Sequence, residues 1–102
     1  MDQEGVGQVG VLVHHDADDV GVAIRDLQPA EVLVKWLDSE RRESIVVRDE
    51  VPLGHKVALK DIADGVDVVE YSVRIGLSRR AIPRGRLVHT HNLRSARWQL
   101  SA

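Results

Sequence analysis

The chain has 102 residues, enough for one small domain, and 43% of them are hydrophobic, an ordinary share for a globular protein. Lysine and arginine total 14 against 16 aspartates and glutamates, so the net charge of −2 provides no long-range attraction for nucleic acid or anionic lipid. Because cysteine is absent, disulfides, thiolate metal sites and thiol nucleophiles are excluded within this chain.

The hydrophobic residues favour strands over helices. Most are Val, Leu, Ile and Ala, with no Phe, one Tyr and two Trp, and β-branched side chains pack well on pleated surfaces. No segment carries a long apolar period of 3.6 residues, which argues against a helical bundle. The composition therefore predicts a mainly β single domain with one or two short helical turns.

The first half of the chain reads as two pairs of strands. Residues 1–8 are polar and glycine-rich and are expected to form a flexible N-terminus. Strands are predicted at residues 9–14 and 20–24 around an aspartate-rich turn, and at residues 31–36 and 44–48. The charged stretch between the last two, Asp38-Ser39-Glu40-Arg41-Arg42, is predicted to be an exposed hairpin connection.

The second half contains tight turns that start new strands. Residues 26–32, 61–68 and 81–88 share an apolar anchor, a turn and a following apolar run. Gly65 and Gly85 can adopt a positive φ in such turns. We expect these segments to be corners of one compact fold.

The boundaries follow from these turns. Pro52 and Gly54 mark a turn before a strand at residues 56–59, and a helical turn is predicted near residues 59–62. The domain is expected to span residues 9–92, followed by a tail at residues 93–102. The start of the chain lacks the apolar core of a secretory signal, and no apolar run reaches about 20 residues, so we expect a cytoplasmic protein.

Histidines are the strongest candidates for chemistry. His89 and His91 lie two apart on a predicted strand, which would point both imidazoles to one face about 7 Å apart. They could bind a metal or a carboxylate, with further ligands from His55, His14, an aspartate or another chain, or they could be a plain surface pair. Lys56, which follows His55, would suit a carboxylate or would simply keep a strand edge soluble.

Other chemical interpretations are weaker. Asp16, Asp18 and Asp19 suggest calcium, but the glycine and the final glutamate of an EF-hand loop are missing. The arginines of residues 79–97 lack interleaved aromatic residues, which argues against nucleic acid. Nucleophile elbows, phosphate loops and zinc-protease motifs are all absent from the sequence. We therefore do not expect a complete active site within this chain.

Several motifs together resemble a known family. They are Gly54-His55-Lys56, Lys60-Asp61-Ile62-Ala63-Asp64-Gly65, Tyr71 with Arg74-Ile75-Gly76, and Val88-His89-Thr90-His91-Asn92. This pattern resembles the N-terminal SAF domain of the altronate and galactarate dehydratase family, which has a β-clip fold and occurs fused to a catalytic region or as a separate small subunit. The ending, residues 88–98, is similar to small subunits of the sulfolactate sulfo-lyase type.

The resemblance implies a small accessory subunit of a sugar-acid dehydratase or sulfolactate sulfo-lyase. The reaction would be a β-elimination from a hydroxy acid, with catalysis in a large subunit that holds a divalent metal such as iron. This chain would carry no cofactor and would be inactive alone. The alternatives are a stand-alone SAF module that binds a carbohydrate or peptide, and a protein that self-associates through exposed strand edges.

The resemblance also implies roles for particular residues. The substrate-binding set would be His14, His55, Lys56, His89, His91 and Asn92, and the partner-binding set would be Arg94, Arg97 and Trp98. One departure concerns a turn, because the family usually has Tyr-Gly where this chain has Tyr71-Ser72. If a positive φ is needed there, Ser72 costs about 1 kcal/mol or forces a different turn.

Overall fold

The computed structural model describes residues 8–95, which form strands and turns and no helix. The strands are β1 Val9–Val13, β2 Val20–Ala23, β3 Ala30–Trp36, β4 Arg42–Val47, β5 Lys56–Ala58, β6 Asp67–Glu70, β7 Val73–Ser78, β8 Leu87–Val88 and β9 Leu93–Ser95. The mainly β prediction is confirmed. No part of residues 8–95 forms a helical segment that is long and apolar enough to cross a membrane.

The strands form two sheets. The larger has the order β4-β3-β1-β2-β5-β8 and the smaller the order β6-β7-β9, and only the β1–β3 pair is parallel among these described strands. A bulge at Gly10 shifts the β1–β3 register. A Cβ at Gly10 would lie 2.5 Å from Val32 Cγ1, so the close approach of the two strands requires glycine.

Most predicted strands agree with the structure to within two residues. The charged stretch at residues 38–42 does connect β3 to β4, although Arg42 itself begins β4. Leu93–Ser95, which the sequence assigned to the tail, instead form β9 and pair with β7. The remaining tail, together with residues 1–7, lies outside the described residues.

The predicted helical turn at residues 59–62 is wrong. Ile62 donates its N–H to the Ile82 carbonyl and accepts the Ile82 N–H, both at 2.8 Å. Leu59 likewise donates its N–H across the fold, to the Asp19 carbonyl at 2.9 Å. Because these backbone groups bond to distant segments, they cannot form the local bonds of a helix.

The similar turn segments predicted from the sequence form corners of the fold. The apolar residue that begins each corner forms an isolated antiparallel bridge to another segment. Leu27 and Val51 exchange two backbone hydrogen bonds of 2.8 and 2.9 Å, as Ile62 and Ile82 do at the other corner pair. Gly85 has a φ of 90°, and a Cβ there would lie 2.1 Å from the Val46 carbonyl oxygen. Glycine is therefore required at this corner by both conformation and space.

The core consists of two hydrophobic clusters. The larger lies in the six-stranded sheet and includes Val11, Val34, Trp36 and Ile45. The smaller joins the two sheets through Val20, Ala58, Ile62, Val68, Ile82 and Val88, with Ile75 and Leu93 packed against them. The candidate site lies on the outer side of this smaller cluster.

Candidate functional site

An open cleft of about 300 Å³ lies where the two sheets meet. It is lined by Lys56, Glu70, Ile75, Val88, His89, Thr90 and Leu93. These residues come from β5, β6, β7, β8, β9 and the turn before β9. The cleft therefore combines an apolar floor from the smaller cluster with an ammonium, a carboxyl and an imidazole group on its walls.

Glu70 is the most unusual residue of the cleft. Its side chain is buried because it follows the inward direction of Val68 along β6, and the residue is only 3% exposed. The Lys56 Nζ lies 3.6 Å from its Oε1, and within residues 8–95 its Oε2 has no hydrogen-bond partner. Burial raises the pKa of the Glu70 carboxyl, and the charges of Lys56 and His14 oppose that rise.

The turn next to Glu70 is held by a second buried carboxylate. Tyr71 and Ser72 have φ values of 57° and 61°, the conformation of a two-residue turn that matches the twist of β6 and β7. The Asp18 carboxylate accepts hydrogen bonds from the Tyr71 N–H and the Ser72 N–H, each at 3.0 Å, and from the His15 N–H at 3.2 Å. Ser72 therefore keeps the positive φ, and the turn is stabilised from outside.

Two of the predicted histidines meet beside the cleft. The rings of His55 and His89 stack with centroids 5.2 Å apart. The His55 Nδ1 is buried, and none of the described residues hydrogen-bonds to it, whereas the His89 Nδ1 lies 3.2 Å from the Thr90 hydroxyl. The structure thus brings His55, Lys56 and His89 to one place, although their role in binding substrate stays a prediction.

His14 also lies near the cleft, where it contacts Tyr71, the residue after Glu70. Its ring stacks on Tyr71 with centroids 3.8 Å apart. Tyr71 is 52% exposed, so the stacked pair forms an outer rim beside the buried Glu70.

The predicted geometry of His89 and His91 is wrong. Strand β8 ends at Val88, and residues 89–92 form a turn closed by hydrogen bonds from the Asn92 and Leu93 N–H groups to the His89 carbonyl. Because the chain reverses there, the two imidazoles do not share a strand face, and the exposed His91 does not line the cleft.

Asn92 has a structural role in this turn. It is 4% exposed, its Oδ1 accepts the His89 N–H at 2.9 Å, and its Nδ2 donates to the Leu87 carbonyl at 2.7 Å. Both ends of the amide therefore bond to the backbone, and a contact of Asn92 with substrate stays a prediction.

The aspartates that suggested calcium are engaged separately. Asp16 pairs with Arg41, Asp18 holds the β6–β7 turn, and Asp19 pairs with Lys60 at 2.7 Å. More broadly, residues 8–95 contain no group of three or more His, Asp or Glu side chains that could hold a metal ion.

The residues predicted to bind a partner lie at the edge of the described region. Arg94 is exposed on β9, where it pairs in register with Leu77. Arg97 and Trp98 lie outside the described residues.

Sequence reasoning missed Glu70, and it named Asp18 and Tyr71 without predicting the contacts that they make. For Glu70 a signal existed, because Val68 and Glu70 are two apart on a strand and must share a face. For Asp18 the relevant contacts are with residues 53 and 54 positions further along the chain, which no local pattern reveals.

These features define a small β domain of two sheets, with a cleft at their junction that has an apolar floor and polar groups on its walls. Residues 9–96 match the family described as the altronate/galactarate dehydratase SAF domain, and the chain belongs to that family. The resemblance inferred from the motifs is confirmed.

Two relatives show how the domain is used. The chain is 40% identical over 90 residues to the (2R)-sulfolactate sulfo-lyase subunit alpha of Chromohalobacter salexigens, covering 85% of this chain and 96% of that subunit. It is 39% identical over 82 residues to the altronate dehydratase of Escherichia coli, covering 79% of this chain but 15% of that enzyme. The same unit thus forms nearly all of one relative and a small part of another.

Proposed function

We propose that this chain is the small subunit of a lyase that acts on a hydroxy acid, either a sugar-acid dehydratase or a sulfolactate sulfo-lyase. A large catalytic subunit completes the substrate site. The observation that carries this proposal is the 40% identity that extends over 96% of a relative named as a subunit alpha.

The cleft supports a role in holding the substrate. The Lys56 ammonium and the neighbouring His89 imidazole can bind a carboxylate, while Ile75, Val88 and Leu93 supply an apolar floor. In a β-elimination a base removes a proton next to the carboxylate as hydroxide or sulfite leaves. In our proposal this chain orients the carboxylate, and the large subunit supplies the base and the divalent metal, such as iron.

The proposal also assigns the partner contact and the location. Arg94, Arg97 and Trp98 dock on the large subunit, with Trp98 as a buried anchor of the kind that dominates interface energies. The assembled enzyme is cytoplasmic.

Co-expression tests the proposal. The chain, carrying an affinity tag, is produced with a large dehydratase-like chain from the same genome, and elimination from sulfolactate, altronate and galactarate is measured with and without it. We expect a stable complex whose activity requires both chains. Failure to form a complex, or full activity of the large chain alone, would contradict the proposal.

A matched pair of variants then tests the cleft. Lys56→Met should raise KM for the hydroxy acid at least about tenfold, because one charge-assisted contact to the carboxylate is lost. Lys35→Met, on β3, is the control and should leave KM unchanged. Equal effects of the two changes would show that the cleft does not hold the substrate.

Two buried atoms without a hydrogen-bond partner in the described part of the chain, His55 Nδ1 and Glu70 Oε2, also favour a second candidate, a stand-alone SAF module that binds its ligand directly. Calorimetry of the isolated chain with sugar acids and with peptides tests it. Binding without any partner would favour the module, and an inert titration in both classes would count against it.

A further inference from the structure

Glu70 lines the cleft, but among residues 8–95 its carboxyl group is not fully hydrogen-bonded. It is 3% exposed, and the 3.6 Å from its Oε1 to the Lys56 Nζ exceeds the length of a strong ionic hydrogen bond. Its Oε2 lacks a partner among the residues that the structure describes. A buried oxygen left in this way destabilises the fold, so its position calls for an explanation.

The neighbouring groups do not supply the missing donor. Ile75, Val88 and Leu93 are apolar, and the Thr90 hydroxyl lies against the His89 ring. Glu70 lines the cleft while its unpartnered Oε2 is itself buried, so a molecule bound in the cleft can supply the missing donor once the carboxyl group turns toward it.

The spacing defines the chemistry of that molecule. It must present an acceptor to the Lys56 ammonium and a donor to the Glu70 carboxyl group, whose Oε1 lies 3.6 Å from the Lys56 Nζ. A carboxylate with a hydroxyl on the adjacent carbon carries the acceptor oxygen and the donor oxygen three bonds apart. A hydroxyl also serves whether Glu70 is ionised or protonated, because it can both donate and accept.

We propose that Glu70 is the residue that selects for the hydroxyl group of the hydroxy acid, while Lys56 holds its carboxylate. This inference rests on the proposed function for the substrate class. It adds a specificity-determining residue that discriminates a hydroxy acid from the same acid without its hydroxyl.

Calorimetry with paired ligands tests the selection. Sulfolactate is compared with 3-sulfopropionate, which lacks the hydroxyl, and with the 2-amino analogue, using the full chain alone and in complex with the large subunit. The wild type should bind sulfolactate at least about tenfold more tightly than 3-sulfopropionate, because the deoxy ligand leaves Glu70 without a donor. Galactarate and adipate form a second pair for the sugar-acid case.

Three variants identify the residue responsible. Glu70→Leu should reduce the preference for the hydroxyl to about onefold, whereas Glu70→Gln should keep part of it because an amide still hydrogen-bonds. Asp67→Asn, an exposed position on the same strand, should leave the preference unchanged. Thermal unfolding should show that Glu70→Leu is folded, since it removes a buried polar group that lacks a partner.

Several results would overturn the inference. They are equal binding of the paired ligands by the wild type, a preference that survives Glu70→Leu, tighter binding of the amino analogue, and no binding in either form of the protein. If the complex forms and turns over but Glu70→Leu keeps the preference, only this inference fails. If no complex forms, the proposed function fails, and the measurements on the isolated chain still decide the role of Glu70.

Discussion

Two buried carboxyl groups beside one hairpin have opposite surroundings. Asp18 and Glu70 are 5% and 3% exposed. Asp18 accepts three backbone N–H groups, whereas the ion pair of Glu70 within residues 8–95 is a loose one, with the Lys56 ammonium at 3.6 Å. Burial alone therefore does not show whether the fold holds a carboxyl group in place, and the number of its hydrogen-bonded oxygens does.

The same contrast holds for the neighbouring ion pairs. The Lys60 Nζ lies 2.7 Å from Asp19, whose other oxygen accepts the Val69 N–H at 2.9 Å. The ion pair of Lys56 and Glu70 is longer, at 3.6 Å, although Glu70 is more deeply buried than Asp19. The polar groups under the hairpin turn are therefore hydrogen-bonded to one another, while those of the neighbouring cleft remain available to a ligand.

The largest expected effect is that of Asp18→Asn. An amide presents one acceptor and an unwanted donor to three N–H groups, so the free energy of unfolding should fall by about 3 kcal/mol. Urea unfolding measures this, with Asp16→Asn as the control, because that exposed ion pair with Arg41 is screened by solvent and should contribute little to stability. Equal losses for the two variants would contradict the structural role of Asp18.

Glu70→Gln should instead raise the free energy of unfolding, by on the order of 1 kcal/mol at neutral pH, which is a smaller change than that of Asp18→Asn. The raised pKa means that the folded protein binds more protons than the unfolded chain above the ordinary value of 4.5. The wild type should therefore lose stability as the pH rises through that window, and the variant should not.

Urea unfolding at pH 4 and pH 8 checks this dependence. The advantage of Glu70→Gln over the wild type should grow from the lower to the higher pH, since the other titrating groups are common to both proteins. An advantage that shrinks with rising pH would mean that the folded-state pKa is lowered instead.

Ser72→Gly should stabilise the protein by about 0.5–1 kcal/mol. Glycine adopts the φ of 61° without steric cost, and this gain is partly offset by its greater freedom in the unfolded chain. Thermal unfolding compares it with Ser44→Gly on β4, which should be destabilising. Destabilisation by both changes would show that Asp18 already removes the strain at Ser72.

Lys56→Met should have the smallest effect on stability. Its effect is best measured on the pKa of the Glu70 carboxyl group. Removing the nearby ammonium should raise the pKa of the Glu70 carboxyl further, because that charge favours the ionised form. Carbon NMR of labelled glutamate across a pH series measures the shift. Lys35→Met should leave the titration unchanged, and a lowered pKa in Lys56→Met would contradict the geometry of the cleft.

Much of the fold could be predicted because its signals are local. Alternating apolar residues indicated β1 to β4, and the glycines of the corners indicated where new strands begin. The helical turn at residues 59–62 was wrongly predicted, and β9 was missed. In both cases the backbone hydrogen bonds go to segments that are remote in sequence.

The site was only partly predictable for the same reason. His55 and Lys56 were recognised from their motif, and the structure does place them beside His89. The shared face of His89 and His91 was not found, because Asn92 closes a turn that ends β8 early. Glu70 gains its character from the surrounding sheets, and this environment exists only after folding.

The contacts of Asp18 and Asp19 also suggest the order in which the parts of the fold form. They join residues separated by 50 to 54 positions, whereas β3 and β4 are neighbours along the chain. Closing long loops is slow, so the β3–β4 hairpin should form early and the junction of the two sheets late. On the ribosome, the N-terminal strands emerge first, and the cleft can assemble only after β9 has been synthesised.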